Sequence, residues 1–346
     1  MSGTMRALVK HHADFGARLE EVPIPEIGPE EVLIRVRAAS LCGTDVHIYQ
    51  WDDWAKGRVK PPYVFGHEFS GEIVAVGEKV TRFQIGDHVS AESHIVCGIC
   101  PQCRRGEGHV CQNTSIIGVD RAGCFAEYIA MPAENLWKND PSLPFETASI
   151  MEPMGNAVHT TLAGPIAGKQ VAVIGCGPIG LMAISVAQAA GAARVYAFDI
   201  NPYRLQLAKQ MGASAVINSA EEDPVEKIAS LTDDSGVDVV LEMSGHPEAI
   251  RQGLRMVTLG GRVSLLGLPT EKVSLDIAND LVFKGLTVQG IVGRRMYETW
   301  EQTAGFLHSG KVNLEPIITH RLPLEQFEEA FQLMISGKSG KVVLYP

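Results

Sequence analysis

Gln170-Val171-Ala172-Val173-Ile174 runs without a break into Gly175-Cys176-Gly177-Pro178-Ile179-Gly180. The first five residues are a short apolar run of the kind that fills a buried parallel strand. The next six spell GxGxxG, a weak pattern alone, but its setting is informative. A helix-like segment, Leu181 to Ala190, follows, and the strand-like Val195-Tyr196-Ala197-Phe198 then ends on an acid, Asp199. In that order the glycines let the backbone approach a pyrophosphate, and the helix N-terminus offers it free N–H groups. Asp199 is placed to accept hydrogen bonds from an adenosine ribose and to repel a 2′-phosphate, so NAD is favoured over NADP. Arg204, five residues on, flanks the adenine end or, in the alternative, binds a 2′-phosphate.

The same alternation continues downstream. Strand-like Ala215-Val216-Ile217, Val237 to Met243 and Arg262 to Leu266 alternate with helix-like Pro224 to Leu231 and Pro247 to Val257. Strands alternating with helices predict an α/β, doubly wound parallel sheet of Rossmann type. Residues 156–293 are assigned to this nucleotide-binding domain. Beyond them, Met296 to Ser309 and Leu324 to Ser336 carry helical periodicity, while Ile317 to His320 and Val342 to Leu344 read as strands.

The N-terminal half is different in kind. Met5 to Lys10 and Val32 to Arg37 alternate apolar with polar residues, broken by Pro23, Pro25, Gly28 and Pro29, and Phe69 to Val76 and Phe125 to Met131 also fit strands. This predicts a mainly β domain. Within it stands Cys97-Gly-Ile-Cys100-Pro-Gln-Cys103, with Cys111 eight positions on. Two-residue gaps let successive thiolates turn onto one ion, and a fourth cysteine closes a tetrahedral, structural zinc cage. Earlier, Cys42-Gly43-Thr44-Asp45-Val46-His47 and Gly66-His67-Glu68 bring together a thiolate, an imidazole and a carboxylate, the donors of catalytic zinc sites. The bland reading makes Cys42 a small core residue, His67 a hydrogen-bonded core histidine and Glu68 a solvated charge. On a regular strand His67 and Glu68 would face opposite ways, so the backbone must be irregular there if both serve one ion. Cys176 reads as a small filler between glycines, and Cys124 shows no partner spacing.

With 346 residues, 45% of them hydrophobic and 20% charged, the chain can build two cores. A formal net charge of -10 argues against nucleic-acid binding, because no basic stripe is available to displace counterions. The start, Met1-Ser2-Gly3-Thr4-Met5-Arg6, lacks a secretory pattern, and no run approaches a membrane span. Seven cysteines, four of them within fifteen positions, suit metal binding in a reducing compartment, and a cytoplasmic location is expected.

Taken with the Glu152-Pro153 pair, these motifs resemble the zinc-containing medium-chain alcohol dehydrogenases over nearly the whole chain. That resemblance implies a GroES-like catalytic domain, residues 1–155 with 294–346, joined to the Rossmann domain, and two zinc ions per subunit. It implies Cys42 and His67 as ligands of a catalytic zinc that binds the substrate oxygen in the cleft between the domains. Glu68 and Glu152 compete for the remaining protein position. Thr44 would accept the hydrogen bond of the substrate alcohol and His47 would pass the proton to solvent. Their plain alternatives are a helix cap and a surface imidazole. Leu266-Gly267-Leu268 and Ile291-Val292 would line the nicotinamide half and Ile179 the diphosphate. Relatives commonly form homotetramers.

Within the family, Cys42 to Tyr49, Glu152 to Thr160 and Gly293 to Trp300 look most like members that oxidise the secondary alcohol of L-threonine to 2-amino-3-oxobutanoate. Polyol dehydrogenases of the sorbitol or butanediol type are the alternative. From another class, a non-catalytic zinc-ribbon interaction protein would leave Cys42, His67 and the glycine motif without purpose. An amino-acid substrate needs a cation for its carboxylate, and Arg294 is the candidate, with a solvated surface arginine or a coenzyme contact as its other readings.

Overall fold

Gln170–Ile174 forms the strand that its apolar residues predict, with Val171, Ala172 and Val173 wholly buried. The computed structural model describes residues 3–346; Met1 and Ser2, the start of the segment read above for a secretory signal, lie outside them. Contacts divide the chain into Met1–Pro153 with Ile318–Pro346, and Met154–Ile317. The first break falls inside the helix Met151–Leu162. Residues 294–317, assigned above with the first unit, group with the second. The turn Glu315–Ile317 contacts the helices Pro178–Ala189 and Pro202–Gln210, which ties this stretch to the nucleotide-type sheet.

In the second unit the strands lie in the order Ala215–Asn218, Arg194–Asp199, Gln170–Ile174, Val237–Glu242, Val257–Leu265 and Thr287–Gly290, all parallel. This is the 3-2-1-4-5-6 order of dinucleotide-binding sheets. The order in which strands are added reverses between Gln170–Ile174 and Val237–Glu242, and ligands bind beyond the carboxyl ends of strands at such a point. Four helices begin with proline at their first position: Pro178, Pro202, Pro224 and Pro247. The fixed φ of proline suits that place, and its missing N–H is one that a helix start leaves unbonded anyway. Asn201 and Asp223 cap two of them by accepting N–H bonds from the second and third residues of the helix. The helix after the glycine turn starts at Pro178, ahead of the apolar run that marked it, because Gly177 is its cap. The edge strand Thr287–Gly290 exposes Thr287, Val288 and Gly290 and so carries no alternation that the sequence could reveal. It stops before Ile291-Val292.

The first unit is built around the long strand Glu31–Ser40, which pairs antiparallel with Glu68–Val76, Tyr128–Pro132 and Lys341–Tyr345. His88–Ala91 and Leu136–Lys138 extend the sheet on one side, Ile318–Pro323 on the other. The expected strand at Phe125 starts only at Tyr128, because Phe125 bonds instead to Phe65 and Leu8. Arg18–Pro23, Thr4–Lys10 and Tyr63–Val64 form a second, small sheet. Tyr49 stacks on Phe331 with ring centroids 4.1 Å apart, pinning the helix Gly43–Gln50 to the helix Phe327–Ile335. Fully burying such a side chain stabilises by roughly 1.5–3 kcal/mol. That contact fixes the helix that carries Thr44 and His47. No described helix is long and apolar enough to cross a membrane.

Candidate active site

Ligand atoms of Cys42, His67 and Glu68 lie within 4.8 Å of one another. Local structure puts each in place. Cys42 precedes the helix Gly43–Gln50, and its N–H donates to Asp45 Oδ2 at 2.8 Å. Asp45 is wholly buried and turns its other oxygen toward His67 Nδ1 at 3.6 Å. A carboxylate on one ring nitrogen is the usual means of orienting a metal-binding imidazole. Burial opposes the charge on His67, but Asp45 and Cys42 together hold it well above its ordinary value, so a metal ion must displace a proton there.

The irregular backbone demanded by the His67-Glu68 pair is present. Glu68 opens the strand Glu68–Val76, while His67 lies before it and follows Gly66 at φ +94°. A Cβ at Gly66 would stand 2.7 Å from the Phe125 ring, so only glycine can make this approach. Glu68 is wholly buried; its Oε2 accepts from the Ser40 hydroxyl and the Lys341 ammonium, and Lys341 also donates to Leu41 O at 3.0 Å. Burial disfavours the Lys341 charge, yet Glu68 and Cys42 keep its pKa above the ordinary lysine value. Glu68 Oε1 has no hydrogen-bond partner. A buried carboxylate oxygen without a donor is costly unless a cation meets it. Sulfur, imidazole nitrogen and carboxylate oxygen are donors zinc takes, so the residues fit the ion.

Glu152, also buried, stands outside this group of three; its Oε1 accepts the Ser93 hydroxyl at 2.5 Å. Thr44 Oγ1 lies 3.9 Å from Cys42 Sγ, beside the cluster. His47, one helical turn on and half-exposed, has Nδ1 2.5 Å from Asp52 Oδ2. Sequence reasoning quoted Asp45 without giving it a task, and it missed Ser40, Lys341 and Asp52. Asp45 could have been found from its place three residues after Cys42. Lys341 had no local signal, being 273 positions from Glu68.

The four-cysteine lobe is gathered as its spacing predicts. Neighbouring sulfurs are 3.5 Å (Cys100 to Cys103), 3.8 Å (Cys100 to Cys111) and 3.5 Å (Cys97 to Cys111) apart, and none is in a disulfide. A tetrahedron with zinc–sulfur bonds of about 2.3 Å has edges of about 3.8 Å. The N–H groups of Ile99 and Cys100 draw the Cys97 thiol down to about 6, toward the thiolate a metal needs.

In the second unit each glycine of the turn has its own task. Gly175 takes φ +92°, and a Cβ there would press on Ser244 at 2.9 Å. A Cβ on Gly180 would meet Gly175 O at 2.0 Å, so this residue permits helix and strand to touch. At Gly177 nothing lies within 4 Å, leaving open space where a pyrophosphate approaches. Asp199 accepts N–H bonds from Cys176 (2.7 Å) and Asn201 (2.8 Å), tying the turn to the next strand. A cavity of about 400 Å³ opens here, lined among others by Gly175, Gly177, Asp199, Ile200 and Arg204. Arg204 Nε is buried without a partner. Pro178 and Ile179 open the helix that follows Gly177. Of the nicotinamide candidates, Leu268 and Val292 are exposed, Ile291 is buried, and Leu266 and Gly267 donate their backbone N–H groups to Glu242 O. Arg294 is buried rather than solvated. Its Nη1 donates to Asn156 Oδ1 at 3.1 Å, and its stem crosses Gly155, where a Cβ would fall 2.6 Å from Arg294 Cδ.

A dinucleotide-type sheet with an open glycine turn, carried on one chain with a mixed-donor metal cluster, defines a metal-assisted dehydrogenase. Family models agree: residues 28–141 match the alcohol dehydrogenase GroES-like domain and residues 178–309 the zinc-binding dehydrogenase. The L-threonine 3-dehydrogenase of Bacillus licheniformis is 60% identical over 346 residues, all of both chains. That of Bacillus subtilis is 58% identical over 345 residues, 100% of this chain and 99% of its own. Among solved structures, an alcohol dehydrogenase from Thermus sp. ATN1 superposes with a TM-score of 0.91 at 36% identity, covering 99% of each chain. The chain belongs to the zinc-containing medium-chain alcohol dehydrogenase family.

Proposed function

We propose that this protein oxidises the secondary alcohol of L-threonine to 2-amino-3-oxobutanoate, with NAD as the hydride acceptor. Cys42, His67 and Glu68 would hold a catalytic zinc, and Cys97, Cys100, Cys103 and Cys111 a structural one. The observation that carries this reading is the buried Glu68, grouped with Cys42 and His67 and with its Oε1 left without a hydrogen-bond partner. When bound, zinc acidifies the substrate alcohol and NAD takes up the carbinol hydride.

The chain's own residues do the rest. The Thr44 hydroxyl accepts the substrate's hydrogen bond beside Cys42, and His47, half-exposed one turn away, releases the proton to solvent. Glu152, held by Ser93, keeps a second carboxylate close enough to influence Glu68. In the second unit the open face of Gly177 and the first turn of the helix from Pro178 take the pyrophosphate, while Asp199 takes the ribose and Arg204 the adenine side. Leu266, Gly267, Leu268, Ile291 and Val292 serve the nicotinamide half. Full-length likeness to L-threonine 3-dehydrogenases supports threonine over polyols. Arg294, anchored by Asn156, is assigned to the substrate carboxylate.

The test is a panel of threonine, sorbitol, 2,3-butanediol and ethanol with NAD and with NADP. Threonine with NAD is expected to give the highest kcat/KM; faster turnover of a polyol removes the substrate assignment. We also assign a cytoplasmic homotetramer. The exposed apolar residues Val282, Phe283 and Val288, at and beside the edge strand Thr287–Gly290, support self-association. A monomer in sedimentation equilibrium would remove that assignment.

A further inference from the structure

The histidine assigned to proton release is held twice by one neighbouring residue. Where the helix Gly43–Gln50 ends, Trp51 takes left-handed backbone at φ 57°. Its N–H donates to Ile48 O, and the Asp52 N–H donates to His47 O, each at 3.3 Å. These two bonds make the Schellman closure of a helix C-terminus. Lys10 braces the turn from the other side: its ammonium sits 5.1 Å from the Trp51 ring and donates to Gly16 O at 2.8 Å and Tyr49 O at 3.3 Å. The Asp52 side chain then faces two ways. Oδ1 accepts the Ala55 N–H at 3.0 Å, capping the helix Asp53–Arg58, and Oδ2 lies 2.5 Å from His47 Nδ1.

We infer that Asp52 is a positioning residue that fixes the tautomer of His47, keeping the proton on Nδ1 and leaving Nε2 as the acceptor through which a substrate proton departs. The catalytic consequence rests on the relay proposed above; the tautomer does not. Burial alone would raise the Asp52 carboxyl, but the Ala55 N–H, His47 and the Trp54 N–H hold it below its ordinary value. It is therefore a carboxylate with no proton to give, and in the neutral imidazole the shared proton must belong to Nδ1. The geometry also says what an amide would do at this place. An asparagine side chain in place of Asp52 would carry one acceptor oxygen for two donors, and its NH₂ would have to face one of them. The Ala55 N–H cannot give up its proton, whereas an imidazole can move its own, so the oxygen caps the helix and His47 shifts to the Nε2-protonated form. Nε2 is then no longer an acceptor.

The experiment compares zinc-loaded wild-type, Asp52→Asn and His47→Asn enzymes, each labelled with ¹⁵N-histidine. NMR spectra are recorded well above the ordinary imidazole pKa of about 6.5. The His47 signals, assigned by their loss in His47→Asn, are expected to show protonated Nδ1 in wild type and protonated Nε2 in Asp52→Asn. Thermal stability should stay near wild type, because asparagine caps helices as well as aspartate. Threonine and NAD KM should stay unchanged while kcat falls about tenfold. That is below the ~10²–10⁴ of direct acid–base catalysis, because solvent can reach a half-exposed imidazole. If His47 keeps the same tautomer in both proteins, or wild type carries its proton on Nε2, the inference is overturned. Full activity in His47→Asn would instead overturn the relay, with the tautomer still read independently.

Discussion

Lys341 and Glu68, 273 positions apart, meet in the interior of the first unit, the ammonium bonded to Oε2 while Oε1 has no hydrogen-bond partner and the carboxylate belongs to the cluster with Cys42 and His67. The carboxylate thus has one oxygen held by a protein cation and the other open to the zinc proposed above. The C-terminal strand Lys341–Tyr345 supplies the lysine, so the sheet that builds the core also delivers part of the site.

Replacing Lys341 by Met would leave Glu68 as an uncompensated buried charge. Breaking a buried pair in this way costs about 3–5 kcal/mol. The zinc-free Lys341→Met protein should therefore show a clearly lower urea midpoint than zinc-free wild type. Saturating zinc, by neutralising the same carboxylate, should narrow the gap, and adding Glu68→Gln should narrow it without zinc. Equal midpoints for the zinc-free proteins would show that the pair is not the main neutraliser of Glu68.

The glycine turn yields opposite outcomes from one substitution made at two places. Gly180→Ala must push a methyl group into Gly175 O, backbone against backbone, and overpacking of that kind costs about 1–3 kcal/mol or more. Gly177→Ala meets nothing within 4 Å and keeps an ordinary negative φ, so the fold should tolerate it. The methyl group then occupies the space left for the pyrophosphate. Differential scanning calorimetry should show a lowered Tm for Gly180→Ala alone. Gly177→Ala should raise the KM for NAD at least tenfold, about 1.4 kcal/mol. A normal NAD KM in a well-folded Gly177→Ala enzyme would place the pyrophosphate elsewhere.

The parts of the fold and site written in contiguous residues were legible in the sequence. The run from Gln170 to Asp199 announced strand, turn, helix and acid in order, because a buried parallel strand is apolar throughout and each turn glycine has a steric task. The four cysteines were equally plain, since two thiolates two residues apart can share an ion whatever surrounds them. The edge strand Thr287–Gly290 was invisible, because exposure removes the alternation by which strands are recognised. The Lys341–Glu68 pair was invisible for a different reason: only the completed sheet brings Val343 beside Ser40 and so Lys341 into reach of Glu68. Adjacent His67 and Glu68 looked geometrically incompatible until Gly66 supplied the left-handed backbone before the strand. Residues 294–317 group by contacts with the second unit, which the sequence does not announce because helical periodicity reports a helix but not the sheet it packs on.

Glu31 gives a pH dependence with a definite sign. Burial would raise its pKa, but the Gly28 N–H at 3.0 Å and Arg121 at 3.1 Å overcome that and lower it from the ordinary 4.5. The folded state therefore prefers the ionised form. The stabilisation is fully present above about pH 4.5 and is lost as pH falls through the lower folded value. Glu31→Gln should unfold more easily than wild type at pH 7, by less than about 1 kcal/mol for a pair that solvent still reaches, and the difference should vanish in acid. A gap that widens on acidification would contradict the assignment.

The four-cysteine lobe makes the last test, because it separates the two metal sites. Cys97, Cys100, Cys103 and Cys111 hold neighbouring sulfurs at separations close to the edge length of a zinc–sulfur tetrahedron, and Cys42, His67 and Glu68 form a separate group. Cys103→Ser replaces a thiolate by a poor zinc ligand in a cage with no spare donor, whereas the other cluster keeps all its donors. Zinc per chain, measured by atomic absorption after dialysis, should fall from two to one. The lobe lies between the strands His94–Ile95 and Ser115–Ile116, so its loosening should be visible as rapid proteolysis within residues 97–111. Cys42→Ser should also leave one zinc, but with the lobe protected and oxidation of threonine abolished. Loss of both ions from either variant would mean that the two sites do not fill independently.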